Sequence, residues 1–173
     1  MTVSQYSDPA KRVLASAPYL QMPLWGITLY HPEFSTVDHR YWLINRPIGR
    51  NLTLEGTLGV QWYDASSFQI VLPKIDGKGQ QDLQLSLQNV DRVIVDELEL
   101  AITDPTTRIE VTLRLFLEDD ATAGPQNVPL TLSLAQVAAN SQSVSGTAGR
   151  FDVLNRVFPS EVYRIVRWPG LDR

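Results

Sequence analysis

Polar and apolar positions alternate along most of this chain. In "LWGITLY", Trp25, Ile27 and Leu29 fall on one side and Gly26, Thr28 and Tyr30 on the other. That period of two is the signature of a strand with one buried face. "RYWLIN" (40–45) follows after the polar break "EFSTVDH", and the two runs predict a hairpin. Phe68, Ile70 and Leu72 repeat the pattern, as do Leu83, Leu85 and Leu87 against Gln84, Ser86 and Gln88. Ile109, Val111, Leu113 and Leu115 oppose Glu110, Thr112 and Arg114, and Leu130, Leu132 and Leu134 form a further stripe. "SQSVSGTAG" (141–149) is a weaker strand interrupted by glycine. The polar stretches 73–82 and 118–127 read as hairpin loops, the first around the turn "DGKG".

Two segments break the alternation. Asp8 followed by Pro9 reads as a helix start, because Asp accepts from free backbone N–H groups and Pro is tolerated in the first turn. "AKRVLASA" then predicts a short helix over 8–17, stopped by Pro18. In "DRVIVDELELAI", Asp91 is a candidate N-cap, and Val93, Ile94, Glu97, Leu98, Leu100 and Ala101 keep helical spacing. This spacing predicts about ten helical residues, with Asp96, Glu97 and Glu99 on the outer face. Seven or more short strands, one or two short helices and no strand–helix–strand alternation predict a mainly β (β-rich α+β) fold. The expected architecture is an antiparallel β-sandwich or barrel, built as a single domain over residues 1–173.

Composition narrows the function. Hydrophobic residues make up 43% of the chain, enough to build a core. The net charge of −4 makes nucleic acid a poor partner. No apolar run approaches the roughly 20 residues of a membrane span, and the first twenty residues lack the pattern of a secretory signal, so the expected site of folding is a cytoplasm. There is no cysteine, which excludes thiolate catalysis and cysteine-ligated metal.

The candidate chemistry is thin. His31 and His39 flank the first hairpin turn and could ligate a metal with Asp38 or Glu33, but turn-proximal polar roles account for them better. Glu118 with Asp119 and Asp120 could supply a glycosidase acid and base, and solvated loop acids explain them more simply. "DGKGQQ" lacks the phosphate-loop spacing, and no G-x-S-x-G elbow occurs. Trp62 and Tyr63 offer a partly exposed stacking pair, while Trp25 and Trp42 fall on core faces. No metal, cofactor or catalytic activity is expected.

The C-terminal segment "NRVFPSEVYRIVRWPG" is unusual for a chain end. Residues 150–173 carry five Arg against Asp152, Glu161 and Asp172, a net +2 on a body of −6. Between Pro159 and Pro169, Val162, Arg164 and Val166 alternate with Tyr163, Ile165 and Arg167, so apolar groups lie on both sides. We read residues 155–173 as an extended arm whose interface residues are Arg156, Phe158, Tyr163, Arg164, Arg167 and Trp168. Phe158, Tyr163, Ile165 and Trp168 would lock the arm onto the body, while Arg164 and Arg167 face a neighbour.

"ITLYHPEF", the strand-loop-strand ending in "NVDR" before a helix, "RIEVTLRLFLEDD" and "FDVLNRVFPSEVYRIVRWPGL" occur in an order that resembles a family of tailed-bacteriophage and prophage minor tail proteins catalogued as a domain of unknown function (DUF1833). The resemblance covers residues 24–171 and gives the first twenty residues no counterpart. Trp168 stands where the family more often has Phe. The resemblance implies a phage-tail-like β-module acting as a structural virion protein. It would be a tail-tip or baseplate subunit forming a homo-oligomeric ring, with tail tube, hub, fibre or tape-measure proteins as partners, made in the bacterial cytoplasm and ending in the virion. The competing readings are a host-surface glycan-binding module using Trp62 and Tyr63, and a small cell-wall hydrolase using Glu118 or Asp119.

Overall fold

The computed structural model describes residues 6–16, 22–72, 83–88, 93–102, 104, 107–118, 123–140 and 143–149. The predicted arm with its six interface residues, the 73–82 loop, Asp91, Asp119 and Asp120 lie outside the described residues. The described strands are β1 (Pro23–Tyr30), β2 (Arg40–Asn45), β3 (Arg50–Thr53), β4 (Val60–Ser66), β5 (Phe68–Val71), β6 (Leu83–Gln88), β7 (Glu110–Leu117), β8 (Leu130–Ala139) and β9 (Ser143–Gly149). Helices α1 (Asp8–Ser16) and α2 (Val93–Ile102) complete the mainly β fold.

The strands form one sheet in the order β3-β4-β2-β1-β7-β8-β9-β6-β5. The sheet is not closed into a barrel. One pairing also departs from the antiparallel expectation, because β2 and β4 run parallel, joined through β3 on the outside of β4. The predicted hairpin of β1 and β2 is present, with Ile27 opposite Leu43.

Its central strands are buried on both faces. Ile27 and Leu29 of β1 join Leu43, Val111 and Leu113 in one core. Leu24 joins Trp42, Ile44, Leu52, Tyr63 and Phe116 in a second core on the opposite side. Strand neighbours lie about 4.8 Å apart, so β4 and β7 would be about 14 Å apart in a flat sheet. Yet the rings of Tyr63 and Phe116 meet edge to face with centroids 5.7 Å apart. The β3–β4 wing therefore curls over one face of β1. At the other end, Leu85 and Leu87 of β6 line a small gap with Leu29 and with Leu98 of α2, so the β6–β5 wing and α2 cover the other face. The sheet is curled in opposite directions at its two ends. Each large aliphatic group enclosed this way contributes about 1.5–3 kcal/mol.

Local signals explain the elements. Ser7, not Asp8, caps α1: its Oγ accepts from the Ala10 amide at 3.3 Å and donates to Gln126 Oε1 at 2.6 Å. Asp8 sits one residue inside, paired with Lys11. Ala10 and Val13 are buried, and α1 packs on β1. In β8 the inward stripe of Leu132 and Leu134 shifts phase at a bulge between Leu134 and Gln136. Beyond it, Val137 pairs across from Gly146. A Cβ on Gly146 would lie 2.9 Å from the Gln136 carbonyl oxygen, so the bulge demands glycine there.

The crossing of β1 beneath the β3–β4 wing makes a similar demand. A Cβ on Gly26 would lie 2.8 Å from Tyr63 Cε1 and 3.0 Å from Phe116 Cε2. Both rings are fully buried and have no room to give. Gly26→Ala is expected to destabilise the protein by about 1–3 kcal/mol, read as a lowered urea midpoint, while the surface control Gln69→Ala shifts it little.

Candidate functional site

The charged groups that the fold covers decide which residues remain for chemistry. Arg114 of β7 is 5% exposed. Alternation placed it on the solvent side with Glu110 and Thr112, but the curled wing covers that side. Glu55, in the turn between β3 and β4, takes its guanidinium in a fork: Nε lies 3.1 Å from both carboxylate oxygens and Nη2 2.7 Å from Oε1. Nη1 donates to Thr28 Oγ1 at 2.8 Å, and the guanidinium carbon lies 5.6 Å from the centre of the Trp42 ring. Burial opposes ionisation of Glu55, but hydrogen bonds from Arg114 and from its own backbone, with the Arg114 charge, hold its carboxyl below the usual range. Tyr63 lies beneath this pair, and its hydroxyl has no partner within hydrogen-bond geometry among the described residues. Burial pushes that hydroxyl up to about 12, against the opposing pull of the Arg114 charge.

A second enclosed carboxylate ties α2 to the β1–β2 loop. Glu97 was expected on the outer face of the helix and is instead buried. Its carboxylate accepts from the Ser35 amide at 2.9 Å, from the Ser35 hydroxyl and from the Tyr41 hydroxyl at 2.8 Å. These donors repay the cost of desolvating a charge. Burial pulls its pKa up, but the bonds from Ser35 and Tyr41 outweigh that and hold it below the ordinary value. Asp96 and Glu99 are exposed, as predicted.

The histidines serve the same loop. His31 is fully buried; its Nδ1 accepts from the Glu33 amide at 3.2 Å, which leaves Nε2–H to face the Thr107 carbonyl at 3.4 Å. His39 adopts a φ of 55° and turns Nδ1 toward the Phe34 carbonyl at 2.9 Å. Asp38 accepts from the Trp42 indole at 3.0 Å. Among the described residues no group of three His, Asp or Glu side chains gathers to hold a metal.

The residues suggested for other chemistries are separated. Glu118 is in an ion pair with Arg46 at 2.7 Å, on the far end of β7 from α2. Trp62 is 53% exposed, its indole N–H bonded to Asp64 at 2.8 Å, while its neighbour Tyr63 is fully buried. The stacking pair is therefore reduced to one ring, because adjacent strand residues face opposite sides.

What the fold leaves open is a groove of about 670 Å³ between α2, the 107–109 segment and β8. Val95 and Leu98 of α2 face Leu134 and Val137 of β8 across its apolar floor, with Glu99 and Arg108 on its rim. No sequence signal marked it, since it depends on the bulge that turns Val137 inward. A family model described as a domain of unknown function (DUF1833) matches residues 10–163. The chain belongs to this family. The DUF1833 match includes most of α1, which corrects the expectation that the first twenty residues have no counterpart in the family. It reaches Tyr163 but not Trp168 or the closing Pro-Gly-Leu. No curated protein matches the chain.

Two outcomes test these anchors. Arg114→Ala strands Glu55 and is expected to cost about 2–3 kcal/mol by urea unfolding, less than a fully enclosed pair because the Glu55 side chain is partly in water. For Glu97, ionisation is easier folded than unfolded. Its stabilisation is complete above the unfolded value and is lost as pH falls through the lower folded one. Glu97→Gln is expected to cost about 1–2 kcal/mol at pH 7, and that cost should shrink below pH 4.5, the ordinary glutamate value. Equal costs at pH 7 and pH 3 would contradict the assignment.

Proposed function

We propose that this protein is a non-enzymatic structural component of a bacteriophage tail, a tail-tip or baseplate subunit. In this reading it forms a ring between the tail tube and hub or fibre proteins. What supports the reading is the resemblance of the motifs in residues 24–171 to a family of tailed-phage minor tail proteins; the match over residues 10–163 is to a domain of unknown function and supports membership of the family, not the tail role. The geometry is consistent with it. The buried Arg114, Glu97 and His31, with the partly exposed Glu55, are engaged in hydrogen bonds that hold the fold together. Such a body suits a load-bearing module. On the sequence reading, the segment 155–173 would supply a basic contact for an acidic neighbour through Arg156, Arg164 and Arg167, with Phe158, Tyr163, Ile165 and Trp168 as its apolar anchors.

One observation favours a second reading. The half-exposed Trp62 ring, with Val60 at 60% and Ile48 at 77% exposed on the same wing, offers one apolar face for a glycan. It lacks the second ring that a sandwiching site would use.

Purified virions decide between them. Mass spectrometry should find the protein in the tail fraction, and electron microscopy should place it as a ring at the tip. Deleting residues 156–173 should remove it from particles. Its absence from wild-type virions would overturn the reading. Binding to a glycan array that is lost in Trp62→Ala would favour the alternative.

A further inference from the structure

β8 outruns its neighbour on one side. It pairs with β7 only from Leu130 to Ser133, and the last bond on that side runs from the Leu134 amide to the Ile109 carbonyl at 2.8 Å. From Gln136 to Ala139 it continues paired to β9 alone. No described residue pairs with its other side over that stretch. The Asn140 amide bonds across the turn to the Ser143 carbonyl. Strand alternation then turns the backbone groups of Ala139 and Val137 away from β9, toward the groove. The Val137 side chain is 44% exposed. The result is a short open strand edge lying beside a helix, with an apolar floor between them.

We propose that this groove receives an extended segment of a partner protein, which adds as a strand to the open edge of β8. Three features set the partner's chemistry. The outward backbone groups of Val137 and Ala139, which no described residue pairs, call for an extended backbone to bond them. The floor of Val95, Leu98 and Val137 takes apolar side chains from every second residue of such a strand. The exposed Glu99 stands on the rim, so the segment carries a basic residue beside it. This docking site does not depend on the tail reading, and a failed virion experiment leaves its test standing.

The test uses the full chain and a heptapeptide alternating valine and threonine with an arginine at each end, followed by amide hydrogen exchange. With peptide at about ten times its dissociation constant, exchange at Val137 and Ala139 is expected to slow about tenfold. Glu99→Lys should weaken binding about fivefold, as a rim charge does. Ala139→Pro removes the edge N–H without touching the β9 ladder and should abolish the protection at Val137. Should that variant fail to fold, Glu99→Lys still reads the same contact. Unchanged exchange at both amides in folded protein would overturn the proposal. So would amides already protected in the free chain, because its own residues would then cover the edge.

Discussion

The guanidinium of Arg114 lies at the middle of a strand whose two faces are both covered. A charge cannot rest there without a partner, since desolvation costs several kcal/mol per ion and only good geometry repays it. The partner is Glu55, from the turn that links β3 to β4. This pairing determines where the wing must sit, because Glu55 reaches Arg114 only if β3 and β4 fold over β1. Once they do, Tyr63 is pressed against Phe116 and Trp42, and position 26 has no space for a side chain. The stacking of aromatic rings and the fork of hydrogen bonds therefore act as one unit.

The other end of the sheet is held by a carboxylate with no cation on it. Glu97 is satisfied by two hydroxyls and a backbone amide, so α2 is anchored through hydrogen bonds to the loop that His31 and His39 shape. This anchor acts on the side of α2 facing that loop. Across the helix, the chain departs from sheet regularity: β7 ends its pairing, β8 bulges, and Val137 turns toward α2. Beyond Leu134 no described residue pairs with that side of β8, and a strand edge left without a neighbour is a place where another strand can pair.

Much of this was legible beforehand. The two helices and seven of the nine described strands are legible through period and turn residues, since those signals act within a few residues of chain. β3 and β4 did not, because "RNLT" is too short for a period and "VQWYDAS" is half exposed with a single buried residue. Trp62 was read correctly as exposed and Tyr63 was not, for the same reason that Arg114 was placed outside: alternation says which residues share a face but not whether a distant wing will cover it. Charge alone predicts an outward Glu97, but its donors lie more than fifty residues away in sequence.

By itself, then, the sequence determined the class of fold, both helices and seven of the nine described strands, and the family to which the chain belongs. These rest on local backbone preference and on the order of short motifs. Tertiary structure alone decided that the sheet is one open body curled both ways, which charges are enclosed, and that a groove opens beside β8. Each of those depends on contacts between segments far apart in the chain, where a single covering wing reverses the meaning of a whole polar face.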